Sequence, residues 1–438
     1  MASPLSRALP GSWAKRGGLP LWGGSPRGFA AVLAVLLSVA ALRSAPLRVW
    51  IIAGPGLPAE EVKATLVAAD GADCSVTTLP VAGAAVLSGL GLADVGVLWV
   101  RGRPAGSQGL AALRDFLAAG KGLVVLGEKG GTWSDWLGFD AEVAGASYGA
   151  PFAGGERMRV INALPHAITT GVRNFDPAEA MRECRLAGDA GVFLEGMVGE
   201  NTVPLGWMRK SGRGRVVCLQ PGNPELWGDA DYRRLVANSV DWAAARPIPG
   251  AKTLLQRTYL NQAYPGAIAI TFPQGPSLCY DIVRGGINYV SDGDFADLHP
   301  WWTGRHGAPI RDFGARISGD VFYRENTLDP GTHLGSGTAD SAYHYHGYRM
   351  KGLYPELSYT VDDREVREEL RPTADAAGVV RIFRLQPGKT PFWLKIEPGE
   401  ESSVMVEGAV WEGGFIHFDG TGRGEFTVTI HRKGAPAR

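Results

Sequence analysis

Residues Pro204–Asn223 read PLGWMRKSGRGRVVCLQPGN. A short apolar strand meets a basic glycine turn, Gly212-Arg213-Gly214, and a second apolar strand follows through Val216–Leu219. A Pro221-Gly222-Asn223 loop then precedes a helical pattern from Asp231 to Ala245. Strand, loop and helix in this order predict a buried sheet whose carboxyl end carries the loop. Open α/β sheets place their ligands there.

Working outward toward the amino terminus, the same alternation repeats. Leu47–Ala53 is a continuous apolar run, expected as a buried strand. Pro58–Ala69 predicts a helix, with Pro58 at its start and Glu60 and Glu61 in its first turn. Cys74–Leu79 and Val95–Val100 are further strands. Ser107 caps a helix whose face carries Leu110, Leu113 and Leu117, and Gly120 ends it. Gly122–Leu126 is a fourth strand. Strands alternating with helices predict a parallel sheet covered on both faces. The candidate site is the set of strand-end loops: Ala53-Gly54-Pro55, Arg101-Gly102-Arg103, Gly127-Glu128-Lys129-Gly130 and Pro221-Gly222-Asn223. These glycine turns match neither G-x-G-x-x-G nor a Walker A pattern, so no nucleotide cofactor is expected.

Three stretches carry a family resemblance: ALRDFLAAGKGLVVL within residues 111–126, LPHAITTGVRNF at residues 164–175, and the segment from Pro204 through Trp242 and its alanines. Together they resemble the ThuA-like, trehalose-utilisation family. That resemblance implies a flavodoxin-like, glutamine-amidotransferase-like α/β fold over residues 46–248, and a role in carbohydrate processing. It departs at two places. Where the family usually ends the fourth strand with histidine, this chain has Gly127. Where the loop after the fifth strand usually reads Gly-His, it has Gly222-Asn223. No cysteine nucleophile with a paired histidine is evident, so amidotransferase chemistry is not supported. The candidate catalytic groups are Glu128, His166 and Glu179. Asn223, Trp133 and Trp227 are the candidate substrate-binding residues. Asn223 can orient a ligand but cannot act as a base near neutral pH. Glu128 beside Lys129 also reads as a solvated loop pair, His166 as a loop brace, and Trp133 with Trp136 as a local core.

The two ends of the chain read differently. Residues 1–28 contain no acid, and Phe29–Leu42 is an apolar run of about fourteen residues followed by Arg43-Ser44-Ala45. This pattern describes an export signal over residues 1–45, with Pro46 leaving an uncleaved anchor as the alternative. An exported, periplasmic or membrane-anchored protein is the expectation. Beyond a proline- and glycine-broken linker at 249–264, the period changes. Ten short strand candidates between Ala267 and His431, separated by Gly, Pro and Asp, predict an antiparallel β-sandwich domain over 265–438. This part resembles a module of exported proteins that carry cytochrome or sugar-dehydrogenase modules elsewhere, through AIAITFPQGPSLCYDIVRGGINYVSDGDFADLHPWWTGRHGAP, GDVFYR and Tyr345-His346-Gly347-Tyr348-Arg349.

Within it, Asp292, Asp294 and Asp297 lie near His299, Trp301 and Trp302. Acids beside aromatic faces suit sugar binding, and a structured turn with core tryptophans is the alternative. His344 and His346 would share a strand face, with His333 or His299 as a third metal ligand; no acid completes the set, and no metal is assigned. The run Asp362–Glu369 reads as a solvated turn and strand edge.

Composition sets outer bounds. Lys plus Arg and Asp plus Glu are 44 each, so a dominant nucleic-acid surface is not expected. The four cysteines form no C-x-x-C pair, and Cys218 reads as a buried thiol. The expected partner is a carbohydrate, with a protein partner for the β part as the alternative. The expected function is exported carbohydrate processing; the alternative is a non-catalytic sugar- or partner-binding accessory protein.

Overall fold

The computed structural model describes residues 46–433, except 54–57, 71–73, 81–90, 100–106, 128–139, 152–158, 178–181, 199–200, 261–262, 264–265, 295, 298–315, 326–333, 336–340, 390 and 398. Glu128, Trp133, Trp136, Glu179, His299, Trp301, Trp302 and His333 lie outside the described residues.

The first part contains β1 (Leu47–Ala53), α1 (Ala59–Asp70), β2 (Cys74–Pro80), β3 (Val95–Trp99), α2 (Ser107–Ala118) and β4 (Gly122–Leu126). A π-turn at Asp140–Ala144 leads to β5 (Ala146–Pro151), β6 (Arg159–Ala163), β7 (Arg182–Leu186), β8 (Gly191–Val198), β9 (Asn201–Ser211) and β10 (Gly214–Leu219). A 3-10 turn at Pro224–Gly228 and α3 (Ala230–Ala243) close this part.

The main sheet has the order β2-β1-β3-β4-β10-β9-β8-β6. The first five strands are parallel, and β9, β8 and β6 continue it antiparallel. Alternation along the strands sorts the apolar residues into two cores. Val124, Leu126, Val217 and Leu219 face α1 and α3, whereas Leu123, Val125, Val216 and Cys218 face α2. Both faces are therefore covered, which is why these strands are uniformly apolar. The antiparallel extension is the part that the strand–helix alternation does not foreshadow.

The second part is all-β. β11 (Leu254–Arg257), β12 (Ala267–Thr271), β13 (Ser277–Asp281), β14 (Ile287–Ser291), β15 (Ala296–Asp297), β16 (Arg316–Ile317), β17 (Val321–Arg324) and β18 (Leu334–Gly335) come first. β19 (Tyr343–Lys351), β20 (Tyr354–Val361), β21 (Arg364–Pro372), β22 (Val379–Leu385), β23 (Phe392–Lys395), β24 (Val404–Glu407), β25 (Val410–Glu412), β26 (Phe415–Phe418) and β27 (Gly424–Ile430) follow. A five-stranded antiparallel sheet, β11-β12-β13-β14-β17, shares one core with a six-stranded sheet, β19-β20-β21-β22-β27-β24. The small β18-β23-β26-β25 sheet adds Phe392, Leu394 and Ile416 to that core.

This core holds charge. Arg381 of β22 is fully buried and bridges Glu325, just after β17, to Glu368 of β21, both also fully buried. Its Nε donates to Glu368 Oε1 at 2.6 Å. The hydroxyls of Tyr280 and Tyr359 both donate to Glu368 Oε2 at 2.9 Å, and that of Tyr323 donates to Glu325 Oε2 at 3.2 Å. Two sheets thus meet on one guanidinium. The expectation that Asp362–Glu369 is a solvated edge is corrected. Residues 364–369 belong to β21, an interior strand of its sheet, and Glu368 and Glu369 are wholly inaccessible to solvent. Glu369 faces away from the core and is covered by Lys351, Arg371 and Arg384.

Two carboxylates share the single guanidinium, and burial disfavours net charge. Burial, above all, pushes Glu325 up to about 7; the Glu368 charge adds to the rise and Arg381 opposes it. The sign follows directly. The folded state holds a proton on Glu325 that the unfolded state has released, so stability falls as pH rises from about 5 to about 8. Urea unfolding across that range is expected to show the decline, and Glu325→Gln to flatten it; an equally steep decline in the variant refutes the assignment. Arg381→Met leaves two buried carboxylates face to face and is expected to cost about 3–5 kcal/mol. An unchanged urea midpoint would count against this role for Arg381.

Candidate functional site

Among the described residues, a cleft with a strongly polar lining lies away from the carboxyl ends of the parallel strands. It lies at the amino end of β10, where the β9–β10 hairpin turn meets the second part. About 580 Å³ in volume, it is bordered by Asp189, Arg209 and Lys210 on one side and by Asp292, Asp320 and Arg432 on the other, with Trp242 and Asp294 also lining it.

Each wall has a local cause. The hairpin turn requires Gly212 at a positive φ of 60°, which brings β9 back as β10 and leaves Arg209 and Lys210 at its end. Arg209 pairs with Asp189 at 2.6 Å from the turn before β8. The opposite wall is two loops pressed together. A side chain at Gly293 would sit 1.8 Å from the Ser318 carbonyl oxygen, and one at Gly319 would sit 2.4 Å from the Gly293 nitrogen. These glycines let Ser291–Asp294 lie against Ser318–Asp320. Asp292 Oδ1 accepts from the Asp320 N–H at 2.7 Å, and its other oxygen pairs with Arg432.

One carboxylate joins the walls. Asp294, 6% exposed, accepts the indole N–H of Trp242 at 2.6 Å and lies 3.6 Å from Arg215. Arg215 in turn donates to the Trp242 carbonyl at 3.1 Å and stacks over its ring at 5.0 Å. Lys210 crosses the seam to the Asp292 carbonyl. The acids Asp292 and Asp294, singled out for sugar chemistry, are thus first of all the attachment of the two parts. Asp297 is buried in the short β15–β16 ladder.

His166 lies beneath this seam. It is 4% exposed, between Phe193 at 5.9 Å and Trp242 at 6.2 Å. Its Nδ1 accepts the Ile168 N–H at 3.0 Å. Burial lowers its pKa to about 4; Asp294 pulls it up and Arg215 pushes it down. At neutral pH it is an uncharged ring in a packed corner.

Asn223 lies elsewhere. It is 2% exposed, and its side chain caps the 3-10 turn by accepting from the Glu225 N–H at 3.2 Å. It follows the carboxyl end of β10, whereas Trp242, beside His166, touches Arg215 at the start of β10, so the two stand at opposite ends of that strand. The structure therefore does not bring His166 and Asn223 together. Trp227 is 4% exposed, packs in the core against Tyr232 at 5.3 Å, and has no hydrogen-bond partner for its N–H among the described residues. His344 and His346 are both exposed, and no group of three or more His, Cys, Asp or Glu side chains suited to a metal occurs among the described residues.

No family model matches the chain, and no curated protein matches it. Solved structures give distant likenesses. A cytoplasmic protein of Salmonella typhimurium LT2 is 16% identical, with 45% of this chain and 99% of that one covered at a TM-score of 0.34. A protein of Parabacteroides merdae described as ThuA-like is 13% identical, covering 45% and 90%, at 0.35. A cold-adapted β-galactosidase of Rahnella sp. R3 is 14% identical, covering 58% and 42%, at 0.33. At these values the likenesses speak to no activity.

His166 also gives a pH signature. Its folded pKa is about 4, below the ordinary 6.5, so the unfolded chain takes up a proton that the folded one refuses. Stability is expected to drop as pH falls from about 6.5 toward about 4, and the acid limb of a thermal-melting profile should become shallower in His166→Phe. A profile of unaltered slope would show that His166 is not buried neutral.

Proposed function

We propose that this chain is a non-catalytic carbohydrate-binding protein that serves carbohydrate processing outside the cytoplasm. Its ligand site is the seam cleft. The observation that carries this reading is the lining: four carboxylates, Asp189, Asp292, Asp294 and Asp320, interleaved with Arg209, Lys210 and Arg432 around Trp242. A sugar hydroxyl both donates and accepts, so alternating carboxylates and cations can satisfy a ring of hydroxyls without either charge being displaced. The volume falls within the range of small-ligand pockets and suits a mono- or disaccharide.

One observation favours binding over catalysis. His166 is an uncharged, packed ring with one nitrogen engaged by the backbone. The ThuA-like reading of the first part draws support from the order of its parallel strands, which is that of a flavodoxin-like sheet. Export draws support from the apolar run Phe29–Leu42.

Isothermal titration of the full chain with trehalose, other disaccharides and their 3-keto forms tests the reading. At least one is expected to bind without turnover. Lys210→Ala and Asp320→Asn are each expected to weaken it roughly fivefold, the worth of about one hydrogen bond. Product formation from any of these sugars, or affinity unmoved in both variants, would overturn it.

A further inference from the structure

A second opening lies where the edges of the two sheets of the β part run side by side. β11 borders the five-stranded sheet and β19 the six-stranded one. Between them is a cleft of about 410 Å³ lined by Leu255, Arg257, Ile268, Ile282, Tyr345 and Tyr348. Its volume is that of a small-ligand pocket. Its floor is apolar: Ile268 belongs to the shared core, and Leu255 and Ile282 pack against it.

Two polar groups in this lining lack partners among the described residues. The Tyr345 hydroxyl is buried and makes no hydrogen bond among the described residues. Buried hydroxyls in native proteins nearly always find one, so an orphan calls for an explanation. Arg257 is exposed at the same cleft and forms no ion pair among the described residues. On the six-stranded sheet, by contrast, Arg349, Arg371, Arg381 and Arg384 are each paired with an acid.

Backbone geometry holds the cleft open. β19 carries a bulge between Tyr345 and Gly347. Gly347 has a φ of 143°, a conformation suited to glycine, and nothing lies within 4 Å of where its Cβ would be. The bulge leaves Tyr348 half exposed beside the opening. Burial, with Tyr348 nearby, pushes the Tyr345 hydroxyl up to about 12 while the Arg257 charge opposes the rise. The hydroxyl therefore keeps its proton at neutral pH and is available as a donor, and the Arg257 charge reaches it.

We infer that this edge cleft binds a small carboxylate with an apolar tail: the tail lies on Leu255, Ile268 and Ile282, and the carboxylate takes hydrogen bonds from Arg257 and the Tyr345 hydroxyl. A neutral ligand would leave Arg257 as it is; a short carboxylate such as acetate would leave the floor empty. The inference is independent of the sugar reading, because the two clefts share no residue.

The test is isothermal titration of the full chain at neutral pH with octanoate, and with octanol as its uncharged counterpart. Octanoate is expected to bind roughly tenfold or more tighter than octanol, as a charge-assisted contact to guanidinium implies. Arg257→Gln, at an exposed position that leaves thermal melting unchanged, is expected to erase that preference while octanol affinity stays the same. Tyr345→Phe is expected to weaken octanoate about fivefold. Equal affinity for the two probes, no octanoate binding at millimolar concentration, or an unchanged preference in Arg257→Gln would overturn the inference.

Discussion

Asp294 is the residue on which the arrangement of this protein turns. One buried carboxylate accepts the Trp242 indole N–H, faces Arg215, and sets part of the field at His166. A carboxylate this buried is tolerable only when paired and hydrogen-bonded. Its partners come from the start of β10 and the last turn of α3, so satisfying it docks the α/β sheet onto the loop after β14. The seam cleft exists because of that docking. Its two walls belong to different parts of the chain, and Gly293 and Gly319 are what allow the second wall to be compact.

The β part solves a similar problem more deeply. Arg381 is surrounded by Glu325, Glu368 and the hydroxyls of Tyr280, Tyr323 and Tyr359, drawn from both sheets. Its guanidinium also lies 4.8 Å from the Phe383 ring. Such a cluster is weak evidence for net stability, because hydrophobic replacements of similar volume often do as well. What it supplies is register. A one-residue slip of β21 or β22 would turn Glu368 or Arg381 outward and strand the partner in the core. The same logic explains the outer face, where Glu369 and Glu356 are covered by Arg384, Arg349 and Lys351.

These facts mark what the sequence reveals. The parallel strands were legible because burial on both faces leaves continuous apolar runs such as Gly122–Leu126, and the β part because short apolar segments alternate with turn residues. β21 was not. Its inward positions read Val366, Glu368, Leu370 and its outward ones Arg367, Glu369, Arg371, so charge on both faces hides the period of two. Arg381, 13 positions on, and the hydroxyls of Tyr280 and Tyr359 make the inward glutamate acceptable. The site was half legible for the same reason. Asp292 and Asp294 stood out beside aromatic residues, and the basic turn of the β9–β10 hairpin stood out as a fold marker. That they meet depends on a contact spanning 52 positions between Trp242 and Asp294, which no local pattern encodes.

The two clefts differ in how their cations are already used, and this decides what each can accept. In the seam cleft Arg209 and Arg432 are held by Asp189 and Asp292, and Asp294 faces Arg215. An anion entering there would have to break an existing pair, and the exchange returns little because one carboxylate merely replaces another. A neutral polyol faces no such competition: its hydroxyls donate to carboxylate lone pairs and accept from N–H groups that each pair leaves free. At the sheet edge the balance is reversed. Arg257 has no carboxylate to give up among the described residues, the floor is apolar, and the nearby hydroxyl can donate. A carboxylate gains there what it cannot gain in the seam. The pairing state of each arginine, more than the number of charges, therefore separates a polyol site from an anion site in this chain.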